Sequence, residues 1–223
     1  MPECTNGILV LMKKTINVSL KLYGAATKLD GRYQGRFRVI HHLAIAVKDF
    51  DTSHYFYTEV MGFKLVAAVK RQAPGGGWTK HVFYDMGSGK LFAIWDLKGI
   101  EGIQIQPDEW RSSISKGLGL PGWINHIAFE CNDEEELQAR KQRWLDHGYH
   151  VSEVDHDFIR SIYTYDPDGN FVEWTYDTRP LNVADLREAE EILADNTPAT
   201  EPDYEGSFTR SDKPKYRVTE SVN

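Results

Sequence analysis

Cysteine is nearly missing from this chain of 223 residues: Cys4 and Cys131 stand far apart and without metal-type spacing. That argues against a disulfide framework and for free thiols in a reducing compartment. Long apolar runs are also missing. The longest near the start, Ile8 to Met12, is shorter than a signal-peptide core or a membrane span. A cytoplasmic protein without a membrane partner is therefore expected, and the sequon Asn17-Val18-Ser19 carries no meaning there. Positive charge is not in excess either. Lys and Arg number 26 against 33 Asp and Glu, for a net charge of −7, and no basic stripe stands out. Nucleic acid is thereby disfavoured, because neutralising phosphates needs clustered cations. A dinucleotide site is lacking too. Gly117-Leu118-Gly119-Leu120-Pro121-Gly122 matches that fingerprint in form, but it follows a polar stretch, contains Pro121 and leads into a strand, not a helix.

What is present centres on residues 154–174. Asp166-Pro167-Asp168-Gly169-Asn170 is a tight turn in which Pro167 pre-sets one backbone angle and Gly169 supplies a positive one. Before it, Ser161, Tyr163 and Tyr165 alternate with Arg160, Ile162 and Thr164. After it, Phe171, Glu173 and Thr175 alternate with Val172 and Trp174. Glu173 thus sits in a strand of aromatic and β-branched residues. A carboxylate there is costly unless a cation meets it, either Arg, Lys or a metal ion.

A second pattern recurs 84 residues apart. His42-Leu-Ala-Ile-Ala-Val-Lys-Asp49 and His126-Ile-Ala-Phe-Glu-Cys-Asn-Asp133 each open a strand with His and place, seven positions on, an Asp able to cap a helix. The spacing to Asp49 selects His42 over its neighbour His41, which points to the other face. Small Ala44, Ala46 and Ala128 share the face of each His and leave room for a ligand or ion. In chain order, strands are expected at 39–47, 63–70, 80–86 and 90–95, with a helix from Asp49 to about Met61 ended by Gly62. The second copy gives strands at 123–131, 149–154, 158–165 and 170–176, with a helix at 134–147 ended by Gly148. Each half reads β-α-β-β-β, and neither can bury both faces of its sheet alone. Residues 16–23 alternate weakly, as an edge strand or a loose arm would. The loop Ala73-Pro74-Gly75-Gly76-Gly77 reads as mobile and could serve as a lid. A helix is expected from Pro180 to about Asn196, then a polar tail, disordered or wrapped, over 197–223.

The doubled His-strand and the Asp-Pro-Asp-Gly-Asn-Phe-Val-Glu ending resemble the vicinal oxygen chelate superfamily, which includes glyoxalase I, fosfomycin-resistance enzymes, bleomycin-binding proteins and extradiol ring-cleaving dioxygenases. The resemblance covers residues 38–177. From Val154 to Glu173 the chain also fits the extradiol dioxygenase signature: His156, five residues, Ile162-Tyr163, two residues, Asp166-Pro167, Gly169 and Glu173. The resemblance implies an α+β fold of two βαβββ modules, 38–96 and 122–177 with a connector at 97–121, paired into a curved mixed sheet. An N-terminal extension, 1–37, and a C-terminal helix and tail, 178–223, flank it. It implies His42, His126 and Glu173 as metal ligands, a set suited to Fe(II) or Mn(II) with positions left open. It also implies His156 and Tyr163 beside the metal as groups that steer a proton.

Aligning Gly89 with Gly169 puts Ala93 where the superfamily's fourth ligand would stand, which disfavours a four-ligand glyoxalase I-type site. The family's catalytic His before the second ligand is missing from Lys90-Leu91-Phe92-Ala93-Ile94-Trp95-Asp96, so that either His81 or His156 substitutes for it or the chemistry is not ring cleavage. Phe92, Trp95, Tyr165, Phe171 and Trp174, with His81, are the expected pocket wall. The reading is a metal-dependent oxygenase acting with O₂ on a small aromatic that bears vicinal oxygens. The alternatives are an isomerase, lyase or transferase of the same superfamily, and a non-catalytic binding protein. A homodimer is expected, because paired βαβββ units commonly associate through their sheets.

Overall fold

A computed structural model describes residues 40–87, 89–100, 113–200 and 205–216. Residues 16–23, much of the connector and the last seven residues lie outside this set. The described residues from His42 onward pack as one compact unit.

The first module begins with β1 (His42–Ala46) and α1 (Phe50–Tyr55). Asp49 caps α1 by accepting a hydrogen bond from the Thr52 amide at 2.8 Å. The helix does not run straight to Met61 as its periodicity suggests. It widens into a π-helical segment, Phe56–Val60, in which the Met61 amide donates to the Phe56 carbonyl. Thr58 gives a local cause: its hydroxyl donates to the His54 carbonyl at 2.8 Å and competes for that acceptor. Gly62, at φ +81°, ends the element. Then come β2 (Lys64–Gln72), β3 (Trp78–Asp85) and β4 (Leu91–Lys98).

A short helix, α2 (Ile114–Gly117), precedes the second module. That module consists of β5 (His126–Glu130), α3 (Glu134–Asp146), β6 (Val151–Asp155), β7 (Ile159–Tyr165) and β8 (Phe171–Asp177). Helix α4 (Val183–Ala194) falls inside the expected 180–196 and starts with a capping box between Asn182 and Asp185. The polar tail then adds β9 (Gly206–Thr209), a strand that its composition does not announce.

Sheet A runs β1-β4-β3-β2 and sheet B runs β5-β8-β7-β6-β9. Each is mixed: β1 lies parallel to β4 and β5 parallel to β8, and the other pairs are antiparallel. The modules are α+β units, as expected. Their union is made by side chains, since among the described residues no backbone ladder joins the two sheets. Phe63 packs against Phe129 and Trp174, and Phe92 packs against Phe129. These belong to one core that also holds Tyr57, Tyr84, Ile94, Leu137, Trp144 and Ile162. The turn 166–170 is part of the joint. Asp166 is buried and accepts from the Tyr57 hydroxyl at 2.7 Å, from the Asn170 side chain and from the Asn170 and Asp168 amides. Burial still raises its pKa. The Asp168 carboxylate accepts from the Lys48 amide in the first module. The motif that looked like a catalytic signature is therefore also the clasp between modules.

Candidate metal centre

The pleat decides which side chains meet. On sheet B the pairs His126–Phe171, Ala128–Glu173 and Tyr163–Glu173 lie directly opposite in register, so His126, Glu173, Tyr163 and Phe171 share one face. Val172 and Trp174 turn the other way into the core. Glu173 is only 2 % exposed. Its Oε2 lies 3.3 Å from His126 Nε2, while the His126 side chain is 44 % exposed. An arginine partner for Glu173 is not supplied by the neighbouring strand: Arg160 is engaged by Glu153 at 2.6 Å and by Glu134 at 3.5 Å. A buried carboxylate met by one imidazole at the mouth of a sheet is a donor pair that a divalent cation fits.

Tyr163 stands across the strand from Glu173 and stacks on Phe171 with rings 5.0 Å apart. Burial pushes its hydroxyl up to about 12; the hydrogen bond from Ser161 opposes that and the Glu173 charge adds to it. The hydroxyl thus stays protonated at neutral pH. Its oxygen lies 2.9 Å from His156 Nε2. His156 sits just past β6, in the turn where Asp157 takes φ +72°. The expected pair of proton-handling residues is therefore brought together beside the His126–Glu173 pair. Tyr165 is exposed and its ring lies 4.8 Å from that of Phe171, so both line the same face.

Sheet A carries the other half of the expected set. His42 heads β1, and its ring faces Phe83 at 5.9 Å and His81 at 6.5 Å. The register places Ala93 opposite Ala44, as Glu173 is opposite Ala128, which bears out the alignment that left the fourth position empty of a donor. His81 stacks on Trp95 at 3.7 Å, its Nε2 is buried without a hydrogen bond, and burial together with the neighbouring His42 lowers its pKa. Among the described residues no group of three His, Cys, Asp or Glu side chains is closed up as a metal cage. The structure joins His126 with Glu173 and leaves His42 at the equivalent point of the other sheet.

Two pocket expectations are corrected. Phe92 and Trp174 are 0 % and 1 % exposed and belong to the core face, because each is one residue out of phase with the site-facing residues of its strand. Phe83 was missed. It shares the face of His81 two residues away and touches both histidines, a signal that period-two counting along β3 would have supplied. Cys131 is buried, donates to the Thr175 carbonyl, and has its thiol pushed up to about 12 by burial, so it is no candidate nucleophile.

The sequence model described as Glyoxalase/Bleomycin resistance protein/Dioxygenase superfamily matches residues 39–174. A catechol-2,3-dioxygenase of Bacillus subtilis (strain 168) is 23 % identical over 144 residues, which is 65 % of this chain and 43 % of that protein. The chain thus spans less than half the length of that relative. Among solved structures, a glyoxylase/bleomycin resistance protein/dioxygenase domain from Frankia sp. EAN1pec matches with a TM-score of 0.46 at 15 % identity, covering 64 % of this chain and 99 % of that one. TnmS3, an antibiotic binding protein from Streptomyces sp. CB03234, matches with a TM-score of 0.44 at 17 % identity, covering 65 % and 100 %.

Proposed function

Because the chain belongs to the Glyoxalase/Bleomycin resistance protein/Dioxygenase superfamily, we propose that it is a metal-dependent oxygenase of the extradiol type, acting with O₂ on a small aromatic that carries two neighbouring oxygens. The observation that carries this reading is the buried Glu173 carboxylate 3.3 Å from His126, beside a Tyr163–His156 pair at 2.9 Å. His126 and Glu173 would hold the ion, with His42 as the third ligand from the equivalent point of sheet A. Fe(II) is the expected metal and Mn(II) the substitute, since both accept two imidazoles and one carboxylate. When bound, the ion supplies Lewis-acid polarisation of the substrate oxygens and, as iron, O₂ chemistry.

The chain's own residues do the rest. Tyr163, protonated at rest, donates a hydrogen bond, and His156 at 2.9 Å is placed to exchange a proton with it during the reaction. Phe171 and Tyr165 offer ring faces on sheet B, and Trp95 with His81 offers a stacked wall on sheet A. The Trp95 and Phe171 walls exclude water from one side of a planar substrate and orient it.

A second reading, an isomerase, lyase or transferase that needs no O₂, is favoured by one observation: β4 offers no imidazole where ring-cleaving enzymes resembling this one carry a catalytic His. Metal analysis of chain purified without chelator or immobilised metal separates the readings. About one equivalent of iron or manganese is expected in the wild type, lost in His126→Ala, with oxygen uptake on a panel of catechols. Turnover that persists without oxygen selects the second reading. Metal absent from both proteins overturns both and leaves a small-molecule binding protein.

A further inference from the structure

Two surfaces are left uncovered by the described residues, and they complement each other. The first is β2, the outer strand of sheet A. All nine of its residues are exposed; Val69 shares a face with Lys64, Ala67 and Arg71, and a bulge after Leu65 leaves Leu65 on the other face. Its charges are all positive: Lys64, Lys70 and Arg71. The corresponding outer strand of the second module, β6, is paired on its free edge by β9. It is also reached by the neighbouring helix, since Lys141 of α3 donates to Glu153 at 2.6 Å. Ala68 occupies the place of Glu153 on β2, so no such bridge can form there. An open edge strand with apolar side chains is a template for another chain unless something covers it.

The second surface is α4. Arg179 holds its start by pairing with Asp185 and Asp157, yet none of its residues is buried. Leu186, Ala189 and Leu193 fall at i, i+3 and i+7 on one face. Leu193 is 85 % exposed and Ile192 65 %. Three glutamates, Glu188, Glu190 and Glu191, stand around this stripe against the single Arg187. Among the described residues, nothing buries the acidic amphipathic helix or the basic apolar strand.

We propose that α4 of one copy docks on β2 of a second copy, and the reverse, in a dimer with two identical contacts. A twofold arrangement covers both surfaces at once and closes, leaving no free α4 or β2 to propagate a filament. Helix-in-groove docking places apolar residues three and four apart against an apolar strip, with unlike charges at its rim setting the register. The proposal names the surface of the homodimer expected from the sequence, and it does not depend on the reaction the site performs.

The test is sedimentation of the full chain across the micromolar range, with variants at exposed positions that leave the core intact. A dimer is expected for the wild type. Leu193→Asp and Val69→Asp should each raise the dimer dissociation constant at least about tenfold. The decisive arm is a charge swap. Glu188→Lys with Glu191→Lys weakens the dimer, as does Lys64→Glu with Arg71→Glu, and all four in one chain restore it to within about threefold of the wild type. A monomeric wild type overturns the proposal, as does a dimer indifferent to these variants or a fourfold variant that stays as weak as its parents. Hydrogen exchange distinguishes the remaining occupant: protection, in a monomer, of the β2 amides that point away from β3 would mean that a segment of the same chain covers the strand, and that also overturns it.

Discussion

Sheets A and B share the anchor points of their scaffold and differ in what they present to the site. Asp49 and Asp133 cap their helices through the Thr52 and Glu136 amides. Gly62 and Gly148 end those helices at φ +81° and +85°. The Val47 amide donates to the Trp95 carbonyl just as the Cys131 amide donates to that of Thr175. Met86 and Asp166 close equivalent turns by donating to the Lys90 and Asn170 carbonyls. On the open face the match stops after the two histidines. Where sheet B has Glu173, Tyr163, Ser161 and Thr175, sheet A has Ala93, Phe83, His81 and Trp95. The difference separates two kinds of constraint. Caps and left-handed glycines recur because the backbone demands them twice, whereas the face can change freely, so that one copy becomes a polar pole and the other an aromatic wall.

The largest effect should follow from making sheet B resemble sheet A at the carboxylate. Glu173→Ala is expected to lower metal affinity at least a hundredfold, about the upper end of what outer partners of a ligand contribute, and to abolish turnover with the fold retained. Metal content and circular dichroism of the same sample check this. If the variant still holds its metal, Glu173 is a structural carboxylate and the two sheets differ less than their faces suggest. One step down is Tyr163→Phe, which copies Phe83 of sheet A. Metal content should be unchanged and kcat should fall about a hundredfold, the lower end for a positioned proton donor. An unchanged kcat would reduce Tyr163 to a packed aromatic.

The two helix-ending glycines sharpen the comparison on the scaffold side. A Cβ on Gly62 meets the flexible end of Arg140 at 3.1 Å, so Gly62→Ala should cost about 1 kcal/mol, mostly from the left-handed backbone. A Cβ on Gly148 meets Pro214 and Lys215 backbone atoms at 2.6 Å. Those residues belong to a strap tied down by Ser211, whose hydroxyl donates to the Leu145 carbonyl, and by Tyr216, whose ring stacks on Tyr55 at 3.9 Å. Gly148→Ala should therefore cost about 3 kcal/mol, as strain plus overpacking, or release the strap. Equal melting shifts for the two variants would show that the strap yields freely.

Much of this was legible in the residues, and what was not has physical reasons. Period two along β7 and β8 assigns Glu173 and Tyr163 to the site face, whereas Trp174, expected at the pocket, is one residue out of phase with Glu173 and lies in the core. On β4 the same period makes Leu91 and Ala93 the site-facing pair and sends Phe92, expected at the pocket, into the core. The π-helical widening of α1 escaped because it depends on a single hydroxyl, Thr58, competing for a carbonyl. Strand β9 escaped because Gly206-Ser207-Phe208-Thr209 has little pattern of its own; it is a strand only because β6 offers an edge. The repeat singles out the two histidines, and the family resemblance joins Glu173 to His126. The place of His42 relative to them depends on how the two sheets meet, which is tertiary packing that no local pattern encodes.

The smallest expected effect tests that packing through pH. Burial of Glu153 by itself would raise its pKa, but hydrogen bonds from Lys141 at 2.6 Å and Arg160 at 2.6 and 2.9 Å outweigh that and hold it below the ordinary 4.5. The folded state therefore binds this proton more weakly than the unfolded one. Its contribution is complete above about pH 4.5 and disappears as pH falls through the lowered value. Asp166 works in the opposite sense, since burial raises its pKa and protonation relieves the cost of a buried charge. In Glu153→Gln the acid-side slope of stability should become shallower than in the wild type, while the two proteins keep a constant difference between about pH 6 and 8. Sheet A has Ala68 at this place and no such dependence. Hydrogen exchange below about pH 4.5 should thus loosen α3 against β6 before it loosens α1 against sheet A. If α1 opens first, the Lys141–Glu153–Arg160 bridge is not what holds the second module's helix to its sheet.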